Sequence, residues 1–118
     1  MDRTYTAAVV GAGTGGGLSM AALHASPRFE LVAVADTRPA ALEAARQRYP
    51  GIATYSSHQA LFSAQPTDVV CVSTWPPSHL EITRAALALP LVRLVLYPRW
   101  RRMSICANSA LTARADRV

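Results

Sequence analysis

A chain of 118 residues with 51% hydrophobic content has the length for one domain with a buried core and no more. No apolar run approaches the roughly 20 residues of a transmembrane helix, and no secretory leader precedes the first strand, so a cytoplasmic domain without a membrane partner is expected. The net charge of +5 is uneven: residues 1–92 carry six Arg and six acids, while residues 93–118 carry six Arg against Asp116 alone. A basic tail can bind phosphate backbones, but nothing in the body of the chain reads as a nucleic-acid module.

The elements alternate. "TAAVV" (Thr6 to Val10) is a short apolar strand running into "GAGTGGG". A helix follows, with Leu18, Ala21, Ala22 and Ala25 at helical spacing, and Pro27 stops it. "ELVAVA" (Glu30 to Ala35) is a second strand, ending at Asp36. Thr37 is the expected cap of the next helix, which has Pro39 in its first turn and Pro50-Gly51 at its end. "IATY" (Ile52 to Tyr55) is a third strand, and Ser56 or Ser57 caps a short helix after it. "DVVCVST" (Asp68 to Thr74) is a fourth strand, apolar on both faces, in which Cys71 is expected to be a buried thiol. Cys71 and Cys106 form no metal-ligand or disulfide pattern. A helix over Ser78 to Leu89 follows Pro76-Pro77, and "VRLVLY" (Val92 to Tyr97) completes a fifth strand.

Strands apolar on both faces and separated by single helices call for a parallel sheet covered on both sides. Right-handed crossovers make it doubly wound, of class α/β, with strand order 3-2-1-4-5. Ligands of such sheets sit beyond the carboxyl ends of the strands where the order reverses. Here that point lies between the glycines and Ser73-Thr74.

The glycines fit three fingerprints at once. Gly11, Gly13 and Gly16 give the dinucleotide pattern G-x-G-x-x-G; Gly11, Gly15 and Gly17 give that of short-chain dehydrogenases; Gly11, Gly13 and Gly15 give that of S-adenosylmethionine-dependent methyltransferases. Context separates them. The dinucleotide reading needs strand, glycine turn, helix, strand and an acid about 20 residues on, and Asp36 ends the second strand 20 residues after Gly16. Gly11 allows the tight turn, Gly13 lets backbone approach a pyrophosphate, and Gly16 lets helix and strand pack closely. The helix start offers N–H groups and the positive end of its dipole to phosphate. The short-chain reading fails, because it needs a Tyr-x-x-x-Lys pair and the 12 basic residues of this chain are all Arg. The methyltransferase reading stays open as an alternative, although Val9 stands where that class usually has an acid.

"VVCVSTWPPSHLEITRAAL" (Val69 to Leu87) resembles the glucose–fructose oxidoreductase / inositol dehydrogenase family, Gfo/Idh/MocA, whose fourth strand is followed by a Thr-Pro-x-x-x-His type loop and an Ala-rich helix. Thr74 and His79 match, with the prolines displaced to Pro76-Pro77 behind Trp75. "ELVAVADTRPAALEAARQRY" resembles the family's second strand and helix. The resemblance covers about residues 5 to 96. It implies a Rossmann domain, residues 1–97, that binds NAD, with NADP as the variant, beside a second domain for a sugar, polyol or related substrate. It implies a cofactor site of Gly11, Ala12, Gly13, Thr14, Gly15, Gly16, Asp36, Thr37, Arg38, Ser73, Thr74, Trp75, Pro76 and His79. A plain helix-surface role for His79 is the competing reading, and it is the reading given to His24 and His58. No catalytic and no metal-binding residue is assigned.

The sequence departs from the family after the fifth strand. The family carries Glu-Lys-Pro there, and this chain reads "LVLYPRWRRM" with no lysine anywhere. The expectation is therefore a cofactor half without its substrate domain, inactive by itself, with an uncovered sheet prone to self-association. Residues 98–118 read as a basic tail. They admit an amphipathic helix over Trp100 to Val118, with Met103, Cys106, Ala107, Ala110 and Leu111 on one face. They also admit an out-of-frame stretch over about residues 97–109, with "LTARADRV" back in frame. A basic-tailed binding protein without catalysis is the remaining alternative.

Overall fold

The computed structural model describes residues 4–74, 76–89, 94–99 and 102–107, with backbone alone at 76–79, 94–99 and 102–107. The elements are β1 (Tyr5–Val10), α1 (Thr14–Ala25), β2 (Phe29–Ala35), α2 (Pro39–Arg48), β3 (Ala53–Tyr55), α3 (His58–Ala64), β4 (Val69–Val72), α4 (Pro76–Leu87), β5 (Leu94–Arg99) and β6 (Arg102–Ala107). One sheet joins them in the order β3-β2-β1-β4-β5-β6. The first five strands pair in parallel, in the expected order.

β1 sits at the centre of the described sheet, so both of its faces must be apolar. Ala7 and Val9 point into a cluster with Met20 and Leu23 of α1, Leu42 and Ala45 of α2, and Val34 of β2. Ala8 meets Leu61 of α3, and Val10 meets Ile82 and Ala86 of α4. The helices therefore cover the sheet two to a face. Cys71 is 1% exposed, the buried thiol expected of it.

Three local expectations are corrected. The buried face of α1 is Gly16, Met20 and Leu23, not the stripe of Leu18, Ala21, Ala22 and Ala25; Leu18 is 70% exposed. Gly16 sets the phase, because only its side of the helix can lie against the turn, and Met20 and Leu23 follow at i+4 and i+7. Thr37 does not cap α2. The helix begins at Pro39, so its N-cap is Arg38, which makes no side-chain cap bond; the Asp36 carboxylate separately accepts the Arg38 N–H at 2.8 Å. Finally, residues 102–107 of the basic tail are not helical. They pair antiparallel with β5, from Leu94 opposite Ala107 to Arg99 opposite Arg102. An alternating run such as "RMSICA" satisfies its backbone on the open edge of β5. Trp100, Arg101 and residues 108–118 of the expected helix lie outside the described residues.

Candidate functional site

The crevice forms where β1, β2 and β4 end together. Gly11 turns the chain out of β1 at φ +100°, a region that favours glycine. Its N–H donates to Ala35 O at the end of β2, at 2.7 Å, and the Ser73 N–H donates to Val10 O at 2.8 Å. The turn is thus tied to both neighbouring strand ends. A Cβ on Gly11 would lie 2.7 Å from Ser73 O.

α1 starts directly behind the turn, with the Gly17 N–H donating to Gly13 O at 2.8 Å. Its N-cap is Gly13, no side chain caps it, and its first turn holds no acid. The N–H groups that begin a helix have no partner within it, so this uncapped start presents donors and a positive dipole end beside the turn.

The steric demands on the five glycines separate the three fingerprints. A Cβ on Gly16 would run into Gly11 O, and α1 could not then approach the turn. A Cβ on Gly13 would meet only an Arg38 guanidinium nitrogen, at 3.4 Å, so the fold does not demand glycine there. Gly15 and Gly17 have nothing within 4 Å. The fold needs Gly11 and Gly16, and Gly13 keeps the space between them and Arg38 open. That is the dinucleotide spacing, and its donor set and its open cradle fit a pyrophosphate. The short-chain and methyltransferase patterns both leave out Gly16, the position the fold constrains most tightly. Val9, the position of the methyltransferase acid, is fully buried in the core.

Asp36 faces this turn from the end of β2. Its Oδ2 accepts the Ala12 N–H at 2.7 Å, and its Oδ1 accepts the Arg38 N–H at 2.8 Å. The Arg38 side chain adds Nε to Oδ1 and Nη2 to Oδ2, each at 3.1 Å. Burial alone would raise the acid's pKa. Hydrogen bonds from Arg38 and from the Ala12 and Arg38 backbone, with the Arg38 charge, outweigh it and hold Asp36 below its ordinary value.

The other expected residues fall as follows. Thr14, Gly15 and Thr37 are exposed at the rim, and Ala12 is half-buried beneath it. Thr74 follows β4 at the crevice, half-buried. The Ser73 hydroxyl is engaged elsewhere, 3.1 Å from Ser19 Oγ and 3.6 Å from Cys71 Sγ. Ser19 also donates to Gly15 O at 3.1 Å, so it links α1 to β4. Sequence reasoning missed Ser19, whose only signal is its place one turn beyond Gly15. Pro76 and His79 lie in the first turn of α4, and Trp75 lies outside the described residues. His24 is exposed on α1 yet packs its ring 5.0 Å from that of Tyr49, and His58 packs edge-on to Phe62 at 5.7 Å. A shallow groove of about 300 Å³ between α1 and α2, lined by Leu18, Ala21, Ala41 and Ala44 among others, includes neither Asp36 nor Ser73.

The family model described as an oxidoreductase family with an NAD-binding Rossmann fold, GFO_IDH_MocA, matches residues 5–95. No curated protein matches the chain. Among solved structures, apo scyllo-inositol dehydrogenase from Lactobacillus casei superposes with a TM-score of 0.76 at 18% identity, over 84% of this chain and 29% of that one; this likeness supports the fold alone. The WlbA dehydrogenase from Chromobacterium violaceum, solved with NADH and UDP-GlcNAcA, gives 0.73 at 30% identity, over 86% and 30%. GenD2 from gentamicin A biosynthesis, solved with NAD, gives 0.72 at 26%, over 82% and 27%. The matched stretch spans under a third of these structures' length. No helix among the described residues is long and apolar enough to cross a membrane. With the glycine cradle and Asp36 in place, the chain belongs to the GFO_IDH_MocA oxidoreductase family and carries its NAD-binding Rossmann fold.

Proposed function

We propose that these 118 residues form the cofactor half of a cytoplasmic dehydrogenase for a sugar, polyol or related substrate, that they bind NAD(H) in preference to NADP(H), and that by themselves they move no hydride. The observation that carries the preference is the Asp36 carboxylate, fixed at the end of β2 by the Ala12 N–H and facing the glycine turn. A fixed carboxylate accepts hydrogen bonds from a ribose diol and repels a 2′-phosphate. The substrate class is supported by a neighbour at 30% identity solved with UDP-GlcNAcA.

In this reading the N–H groups at the start of α1, from Thr14 to Gly16, hold the pyrophosphate, and Gly11 and Gly13 let the backbone approach it. Asp36, flanked by Thr37 and Arg38, holds the adenosine ribose. Ser73 and Thr74 border the crevice at the β4 end, with Trp75, Pro76 and His79 beyond them along the cofactor. The nicotinamide supplies the hydride chemistry when bound. The protein's share is to position it and exclude water. Turnover needs a group that holds the substrate and moves its hydroxyl proton, and a chain without lysine lacks the residue the family resemblance assigns to that work.

Titration with NADH and NADPH tests the preference: tighter NADPH binding would contradict it. Incubation with NAD and a panel of polyols, followed at the reduced-nicotinamide absorbance, should give no turnover. A sustained signal that Gly13→Asp abolishes would contradict the claim of inactivity. We also propose that residues 97–109 are read out of their ancestral frame. Resequencing should reveal a single-base insertion or deletion near codon 97 that restores Glu-Lys-Pro, and failure to find one ends the idea.

A further inference from the structure

Asp36 is fully occupied in the free protein. A carboxylate offers about four lone-pair positions, and four donors reach this one: the Ala12 and Arg38 N–H groups, and Nε and Nη2 of Arg38. The two backbone donors belong to the glycine turn and to the start of α2, and cannot leave without opening that corner. The two guanidinium donors sit on an exposed, flexible stem: the Arg38 side chain is 62% exposed, while that of Asp36 is 7% exposed beneath it. The guanidinium also stands over the turn, with Nη2 3.4 Å from where a Cβ on Gly13 would be. It occupies the space between Gly13 and Asp36.

We propose that Arg38 is a built-in competitor for the adenosine ribose and sets the cofactor ratio by competing. The proposal rests on the dinucleotide reading above. A ribose diol reaches Asp36 only by displacing the guanidinium. With NAD(H), Arg38 exchanges an ion pair for water, so it lowers affinity. With NADP(H), the displaced guanidinium meets the 2′-phosphate, which its planar fork suits, so it raises affinity. Asp36 makes the chain prefer NAD(H), and Arg38 narrows that preference.

The test is calorimetric titration of the whole chain, Arg38→Ala and Arg38→Lys with NADH and with NADPH. Arg38→Ala should bind NADH about threefold tighter, the scale of losing one exposed ion pair, and NADPH about tenfold weaker. Arg38→Lys keeps the charge without the fork and should lie between the two. Opposite signs on two cofactors cannot arise from a general loosening of the fold. Unchanged or weaker NADH binding by Arg38→Ala overturns the proposal while the dinucleotide reading stands, since the parent chain still binds. Binding of neither cofactor by the parent chain removes that reading, and this inference with it.

Discussion

The first turn of α1 has an inner and an outer face, and both carry glycine. On the inner face, a Cβ on Gly16 would collide with Gly11 O; on the outer face, Gly15 and Gly17 look into open space. Gly13, at the N-cap, belongs to neither group. Its φ of −75° suits any residue, and only the movable end of Arg38 lies near. Identical residues within four positions thus answer to different causes. The fold needs Gly16, the proposed dinucleotide would need Gly13, and nothing in the described structure needs Gly17.

Substitutions can break that comparison. The largest effect is expected at Gly16→Ala. The methyl group forces α1 off the turn, and stability should fall by about 3 kcal/mol or more in urea denaturation. Stability near that of the parent would show that the inner face has slack. Gly11→Ala should cost about 2 kcal/mol by the same assay, from the positive φ and the Ser73 carbonyl together. Asp36→Asn comes next and acts on binding: NADH affinity should drop about tenfold as a charged acceptor becomes neutral.

The pH response of Asp36 has a definite sign. Its folded pKa lies below the ordinary carboxylate value. Its contribution is therefore present above that ordinary range and is lost as pH falls through the folded value. Acid titration of melting temperature should show a limb below about pH 4 that is shallower in Asp36→Asn; equal limbs would contradict the assignment. Smallest is Gly17→Ala, which should stabilise by about 0.5–1 kcal/mol through helix propensity and leave NADH binding unchanged.

Much of this was legible in the sequence. Alternating apolar strands and single helices implied the parallel core and its order, because a strand buried on both faces shows no polar positions to mislead. The Gly16-to-Asp36 spacing picked out the turn and the acid that meet there. The phase of α1 was not legible. Periodicity favoured Leu18, Ala21, Ala22 and Ala25, but a single close backbone approach at Gly16 outranks a stripe of alanines that gain little by burial. Thr37 looked like a cap by residue type, but α2 begins at Pro39 and its N-cap is Arg38, one residue further on. β6 was hidden because its six-residue alternation behind the arginine-rich "RWRR" is too short to outweigh a helical reading, and the open edge of β5 decides between them. Arg38 on Asp36 is a side-chain event between near neighbours, which no pattern of types encodes.

The central claim is that the turn binds a dinucleotide, and Gly13→Asp tests it most directly. Aspartate is a favoured N-cap and the backbone there suits it, so the variant should melt at or above the parent's temperature. Its carboxylate would sit where the pyrophosphate must lie. Fluorescence titration with NADH should therefore saturate at one site in the parent and show no binding in the equally stable variant. Equal NADH binding by both chains, or binding of S-adenosylmethionine in its place, would contradict the account.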